Sequence, residues 1–227
     1  MTFEGNPSAG LSLQGERRSL RDLAYGTLRD AIVRTRIAPG APITEEKIAA
    51  DLGVSRPVVR EAVQRLQSEG LIERAGNGRM FVRPATVEDA RAHYAVRGAL
   101  EQLTVEEAIT RLTPDGVDRL EGALAHMREA RDRTGGKTVA DGGGEFHAIL
   151  ADIAANPVNA QLMDMIRARM DRYRYLSVAT TAVRTEQSVR EHEEILDALR
   201  AGDVEEAKAA MRRHIAASEE SALHALD

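Results

Sequence analysis

Residues 44–83 read TEEKIAADLGVSRPVVREAVQRLQSEGLIERAGNGRMFVR, and the rest of the chain is organised around this run. Its spacing predicts two short helices, a tight turn and a two-stranded wing. The first helix runs from about Thr44 to Asp51. Thr44 can cap it, Glu45 and Glu46 suit its electropositive first turn, and Ile48, Ala49 and Leu52 form its buried side. Gly53 stops it, as a residue free to take positive φ at a helix C-terminus. Ser55 opens the second helix as its N-cap, with Pro57 in the first turn, where a missing N–H costs little. Val59, Ala62, Val63 and Leu66 give this helix a core face, and Arg56, Arg60, Gln64 and Arg65 lie off that face or at its start. Gly70 ends it. Leu71–Ala75 and Met80–Arg83 are strand-like runs around Gly76-Asn77-Gly78, a hairpin-turn signal.

Helix, glycine turn, basic helix and hairpin in that order describe a winged helix-turn-helix. A basic helix start suits the major groove, where arginine can make two bonds to a guanine edge. On a lone amphipathic helix such arginines are more simply a solvated face. The complete ordered set favours DNA binding.

Composition bounds the remainder. A length of 227 residues predicts one or two domains. Hydrophobic residues make up 43% but aromatics only 3%, so the core is aliphatic, which suits packed helices. With no cysteine, disulfides and thiolate metal sites are excluded, and a metal would need His, Asp or Glu. No apolar run approaches the ~18 residues of a membrane span, and no signal peptide is evident, so a cytoplasmic location is expected. The net charge of −5 is unequally divided. Residues 1–84 hold 13 Lys and Arg against 10 Asp and Glu, net +3, whereas residues 85–227 hold 18 against 26, net −8. That asymmetry fits one part meeting phosphate and the other not.

The expected organisation is a disordered tail over residues 1–18, a winged helix-turn-helix over 19–84 and an all-helical domain over 85–227. Leu20, Leu23, Ala24, Leu28, Ile32 and Val33 recur at helical spacing and predict a helix from Leu20 to Arg36, before Pro39-Gly40 and Pro42 break the chain. Beyond Arg83-Pro84 about six helices are expected, as a mostly α antiparallel bundle. They are Val87–Arg111, Thr113 to about Arg133, about Gly144 to Ala154, Asn159 to about Val178, Thr185–Ala201, and Asp203 to near Leu226. Val96, Leu100, Leu103 and Ala108 are expected on the core side of the first, and Leu162, Met163, Ile166 and Met170 on that of the fourth. Gly135-Gly136 reads as a loop.

Three histidines fall on apolar faces of three different helices: His147 beside Phe146 and Leu150, His192 between Val189 and Ile195-Leu196, and His214 beyond Met211. Each alone is more simply a hydrogen-bonded core residue. Together, from facing helices, they could hold a divalent ion such as Zn, Ni or Mn.

The residues resemble the GntR family of bacterial transcription regulators, in its FadR-like branch with an FCD ligand-binding domain, over about residues 20–220. The resemblance rests on Gly53-Val54-Ser55-Arg56, Val59-Arg60-Glu61-Ala62, Arg65-Leu66 and Glu69-Gly70-Leu71 in the first part. In the second it rests on Tyr94, Arg97 and Glu101, Phe146-His147, Asn156, Glu191-His192, Ala198-Leu199, Gly202-Asp203 and His214-Ile215. It implies that Arg56 and Arg60 read bases and that Asn77, Gly78 and Arg79 at the wing tip enter the minor groove; Ser55 or Thr44 is expected to meet phosphate. It also implies that His147, His192 and His214 hold a metal that the family completes with an aspartate four residues before the first histidine. Here that position is Gly143, within Gly142-Gly143-Gly144. The fourth ligand is then Asp141, Glu145, water or the effector, or the cavity takes ligand without metal.

The function expected is that of a homodimeric regulator binding a double-stranded DNA operator under the control of a small organic acid. Arg97, and more weakly Arg169, are candidate effector-binding residues; alternatively Arg97 forms a structural ion pair with Glu101, four residues on. A hinge is expected near Arg83-Pro84-Ala85. A constitutive dimeric DNA binder is the alternative. An enzyme is not expected, because no positioned general base is evident beyond Glu145 or Asp141.

Overall fold

The computed structural model describes residues 19–134, 137–178 and 182–226. The expected tail at 1–18 and the Gly135-Gly136 loop lie outside the described residues. Helix α1 (Leu20–Val33) starts with a capping box in which Ser19 and Asp22 satisfy each other's backbone N–H groups. It stops short of the expected Arg36 because Thr35 takes a φ of 54°, which a β-branched residue cannot carry within a helix. Its buried side is Ala24, Leu28, Ile32 and Val33; Leu20 and Leu23 are exposed rather than core.

Helices α2 (Glu45–Leu52) and α3 (Arg56–Ser68) meet at Gly53, whose φ of 64° lets its N–H reach back to Ala49 and Ala50. Their buried residues are Ile48 and Ala49, then Val59, Ala62, Val63 and Leu66. The wing strands β2 (Ile72–Arg74) and β3 (Met80–Val82) are antiparallel, with Ile72 opposite Val82 and Arg74 opposite Met80. A third strand, β1 (Pro42–Ile43), pairs with β3 through Pro42–Phe81 and Ile43–Met80, giving the order β1-β3-β2. The sequence offers only a breaker signal there. Proline is tolerated because this is an edge strand.

The second domain contains α4 (Val87–Ile109), α5 (Pro114–Thr134), α6 (Lys137–Ala154), α7 (Pro157–Val178), α8 (Ala182–Ala201) and α9 (Val204–His224). Tyr94, Leu120, Met127, Phe146, Leu150, Ile195 and Met211 anchor its core. Two expectations are corrected here. Helix α6 begins at Lys137 rather than near Gly144, so the three glycines lie inside it despite their low helix propensity. Val96, Leu103 and Leu162 are exposed, while Tyr94, Arg97 and Glu101 take the inward face of α4. Among the described residues no helix is long and apolar enough to cross a membrane.

The two domains are closely joined. Ala168 of α7 belongs to the apolar core of the winged domain. Arg172 donates to the Arg83 carbonyl at 2.7 Å, which pins the expected hinge, and Arg83 in turn reaches Asp89 at 3.4 Å. The Arg169 guanidinium fills the space where a Cβ on Gly70 would stand, and Gly70 has a φ of 70°. Gly70 therefore has both a conformational and a steric reason to be glycine.

Candidate nucleic-acid interface and metal centre

The structure brings four of the seven expected DNA-contacting residues together. Thr44, Arg56, Gly78 and Arg79 line a single cleft between the helix starts and the wing. Thr44 and Ser55 stand at the N-cap positions of α2 and α3 with extended backbones, yet neither side chain makes a capping hydrogen bond. The capping role read from sequence is therefore only positional. Arg56 and Arg60 are exposed on α3, and Arg60 Nε lies 3.3 Å from Glu45 Oε2. The wing tip is held from within. Asn77 Oδ1 accepts from the Arg79 N–H at 3.0 Å, Gly78 takes a φ of 81°, and Arg74 donates to the Gly78 carbonyl at 3.1 Å. Asn77, Gly78 and Arg79 are left exposed.

In the bundle, α6, α8 and α9 bring His147, His192 and His214 together. One nitrogen of each lies within 4.8 Å of the others, and all three residues are buried. Each opposite nitrogen has an acceptor beside it, although His147 Nδ1 makes no aligned hydrogen bond. His214 Nδ1 lies 2.8 Å from Glu191 Oε2, His192 Nδ1 lies 2.7 Å from the Ser188 carbonyl, and His147 Nδ1 lies 3.0 Å from Glu101 Oε1. Arg184 makes a two-pronged pair with Glu191, at 3.0 Å on each oxygen, and so fixes the carboxylate that orients His214. With the Nδ1 protons directed outward, the Nε2 atoms face one another, and that of His147 also accepts from Arg97 Nη2 at 2.9 Å. His147 Nε2 and His214 Nε2 are 3.2 Å apart, and His192 Nε2 is buried with no hydrogen-bond partner.

Burial drives all three rings towards the neutral form, lowering the pKa of His147 and taking His192 and His214 well below the ordinary histidine value. Convergent neutral lone pairs, each ring oriented by an outer acceptor, form a donor set that fits a divalent cation. Burial opposes the charge on Glu101, but His147 and Arg97 hold its carboxyl down at about 2. Since His147 is itself kept neutral, the Arg97 guanidinium is the lasting counter-ion.

The two readings of Arg97 coexist. It is buried, donates to Glu101 Oε1 at 3.3 Å, and donates through Nη2 to His147 Nε2 at 2.9 Å. It also lines a cavity of about 320 Å³ with Glu101 and His147, at the small end of ligand pockets. Arg29, Asp30 and Val33 of α1, with its C-cap Arg34, also line it. Arg169 is not among the lining residues: it faces the domain junction, 2.9 Å from His93 Nε2 and 3.8 Å from Asp89. Glu145 is turned outward, 3.1 Å from His126 Nδ1, and the side chain of Asp141 lies outside the described residues. Sequence reasoning missed Arg174, which lines the cavity, and the Arg184–Glu191 pair. The seven-residue spacing of that pair, two helical turns, was the available signal.

Residues 20–82 match the gntR family of bacterial regulatory proteins, and residues 92–217 match the FCD domain. The chain is 29% identical to the HTH-type transcriptional repressor RspR of Escherichia coli K12 over 197 residues, covering 87% of this chain and 86% of that one. It is 31% identical over 204 residues to an HTH-type transcriptional regulator from an unstable DNA locus of Streptomyces ambofaciens, covering 88% and 84%. The crystal structure of a putative GntR transcriptional regulator from Rhodococcus sp. RHA1 superposes with a TM-score of 0.72 at 29% identity, covering 90% of this chain and 97% of that one. The relatives are transcription regulators and not enzymes, and this chain belongs to the gntR family of bacterial regulatory proteins, as a DNA-binding winged domain joined to an FCD domain.

Proposed function

We propose that the protein is a homodimeric, cytoplasmic regulator whose operator affinity is set by a small carboxylate, bound with a divalent metal in the FCD domain. One observation carries the reading: three buried histidine nitrogens converge, and one of these rings, His147, also lines a cavity shared with Arg29, Asp30 and Val33 of the DNA-binding domain. A metal there would supply a Lewis-acidic point for one carboxylate oxygen. His147, His192 and His214 would hold it, with Glu101, Ser188 and Glu191 keeping their rings aligned. Arg97 would pair with the acid, since its guanidinium already lies between Glu101 and His147. An acid in this cavity touches both domains, so it can favour one placement of the DNA-binding domain over another. In the operator complex Arg56 and Arg60 would contact base edges, Thr44 and Ser55 phosphates, and Asn77, Gly78 and Arg79 the minor groove.

Homodimerisation is supported by apolar side chains that the fold leaves uncovered. Val96 and Leu103 lie one heptad apart on α4, and Val158, Leu162 and Met165 lie along one stripe of α7, with exposures between 41% and 67%. The test is operator binding by fluorescence anisotropy against a panel of organic acids, with and without chelator. A metal-dependent acid that shifts operator affinity is the expected result. If no acid and no metal changes either operator affinity or the melting midpoint, the bundle only dimerises and the protein binds constitutively.

A further inference from the structure

Three residues of α7, Ala168, Arg169 and Arg172, meet the winged domain where its DNA-facing parts are rooted. Ala168 is buried in that domain's apolar core. The Arg169 guanidinium lies against Gly70, the residue that follows the C-cap of α3. Arg172 donates to the carbonyl of Arg83, just beyond β3. Gly70 and Arg83 are brought close to one another, because the Arg83 N–H donates to the Leu71 carbonyl at 2.9 Å. The helix that carries Arg56 and Arg60 therefore ends, and the wing both leaves and returns, where α7 touches the domain.

Arg169 suits that position for two reasons. A helix C-terminus carries a partial negative charge, which a guanidinium complements. Gly70 has no Cβ, and any other residue there would have to displace the guanidinium. The same side chain is anchored to the bundle. Its Nη1 lies 2.9 Å from His93 Nε2 and 3.8 Å from Asp89 Oδ1, both on α4. His93 Nδ1 is 2.6 Å from the Asp89 carbonyl, so the ring proton points there and Nε2 is left to accept from Arg169. Asp89 is itself held, since Tyr173 donates to its second oxygen at 3.2 Å. Met170 and Asp171, next along α7, line the cavity, so this joint and the cavity share one helix.

We infer that Arg169 is a positioning residue for operator recognition: seated on Gly70 and held by His93, it fixes the tilt of α3 and the wing against the bundle, and so sets the half-site spacing that the dimer accepts. It acts through α3 rather than on DNA. This inference rests on the dimeric reading above and needs neither metal nor effector. Two half-sites are engaged together only when the two DNA-binding domains stand about one helical turn of DNA, ~34 Å, or a multiple of it apart. A domain free to swing loses that registration, and with it the gain from linked binding.

An operator is selected from random-sequence DNA with the full chain, and its spacer is then lengthened or shortened by a few base pairs. Affinities for these duplexes and for an isolated half-site are read by fluorescence anisotropy at fixed salt. The wild type is expected to prefer one spacing by roughly tenfold or more. Arg169→Met should lose most of that preference through weaker binding at the favoured spacing, with half-site affinity changed by less than about twofold. Arg169→Lys, which keeps a cation at the helix end, should recover part of it. Gly70→Ala, which expels the guanidinium, should lose the preference as Arg169→Met does, and combining the two should cost no further preference. His93→Phe keeps a ring beside Tyr173 but offers no acceptor, and should act in the same direction. It decides the matter if a Gly70 or Arg169 variant fails to fold, which circular dichroism checks, while sedimentation checks that each is a dimer. A spacing preference that survives in Arg169→Met and His93→Phe overturns the inference. So does an equal loss on half-site and full operator, which would make Arg169 a general prop of the winged fold, or a wild type that is dimeric yet indifferent to spacing. A monomeric wild type removes the dimeric reading itself, and this inference with it.

Discussion

Arg29, in the first helix of the DNA-binding domain, donates to Asp171 of the bundle at 2.5 Å, across 142 positions of sequence. The same carboxylate accepts from Arg174 in the cavity at 3.2 Å, and Arg29 also lies 3.9 Å from Glu69, the C-cap residue of α3. Glu69 in turn accepts the Tyr25 hydroxyl at 2.6 Å. Paired charges thus run from the cavity wall to the end of the helix that presents Arg56 and Arg60. Spatial continuity is not coupling, which must be measured. A double-mutant cycle on Arg29→Ala and Asp171→Ala should give a coupling of about 1 kcal/mol, because both side chains are three-quarters buried rather than fully exposed. Asp171→Asn should also raise amide exchange in α1 while leaving α5 unchanged. A cycle that closes to zero would mean the pair does not join the domains.

Arg56→Ala and Arg60→Ala should each weaken operator binding by about 1–3 kcal/mol at fixed salt, and relax the preference at one base pair. Arg60 also spans to Glu45 in the free protein, so part of its cost on binding is release from that carboxylate. Glu45→Gln should therefore strengthen operator binding slightly, by a few tenths of a kcal/mol on the scale of exposed ion pairs. Equal weakening on operator and random DNA would reassign the two arginines to phosphate contacts.

The winged domain was legible because local chemistry dictates it: Gly53 must turn, Ser55 and Pro57 must start a helix, and Gly78 must close a hairpin. The histidine triad was legible because each ring falls on an apolar helical face. What periodicity could not reveal was which apolar residues lack a partner. Val96, Leu103 and Leu162 obey helical spacing as well as buried residues do, but α4 turns Tyr94, Arg97 and Glu101 inward instead. A buried arginine is invisible to a reading that seeks hydrophobic stripes. Arg174, only partly buried, was missed because its seat on Gly144 lies thirty positions away. Gly142-Gly143-Gly144 misled in the same way. Helix propensity argued for a late start to α6, whereas packing against Met127 and Arg174 favours glycine inside the helix.

Burial, the largest influence on each, lowers the pKa of His147, His192 and His214 in the metal-free fold. The unfolded chain protonates these rings near pH ~6.5, and the folded chain resists until lower pH. Between those limits the unfolded state binds more protons, so this stability is complete above about 6.5 and is lost as pH falls below it. With chelator present, the melting midpoint should drop between about pH 7.5 and 5.5, by about 2–4 °C for each kcal/mol lost in a chain of this size. Glu101, held at about 2, acts in a separate acidic range, losing its contribution only as pH falls below its ordinary value of 4.5. His192→Gln should flatten the higher drop. A midpoint constant across that interval would mean the rings are already charged or hydrated in the folded state.

Leu162 and Val158 test the proposed dimer most directly. Isolated apolar side chains on a surface are common, and replacing one usually changes stability by less than about 0.5 kcal/mol. Leu162→Glu should therefore leave the melting of an isolated monomer almost unchanged. If the α4 and α7 stripes meet their counterparts in a second copy, the same change buries an unpaired carboxylate at the interface, which is strongly unfavourable. Sedimentation should then show a monomer where the wild type is a dimer. Operator affinity should fall by roughly a hundredfold, because a monomer engages one half-site and loses the gain from linked binding. Val158→Glu, on the same stripe of α7 but nearer its start, should act in the same direction. Unchanged sedimentation and operator affinity in both variants would show that these side chains are ordinary surface, and that any dimer forms through another face.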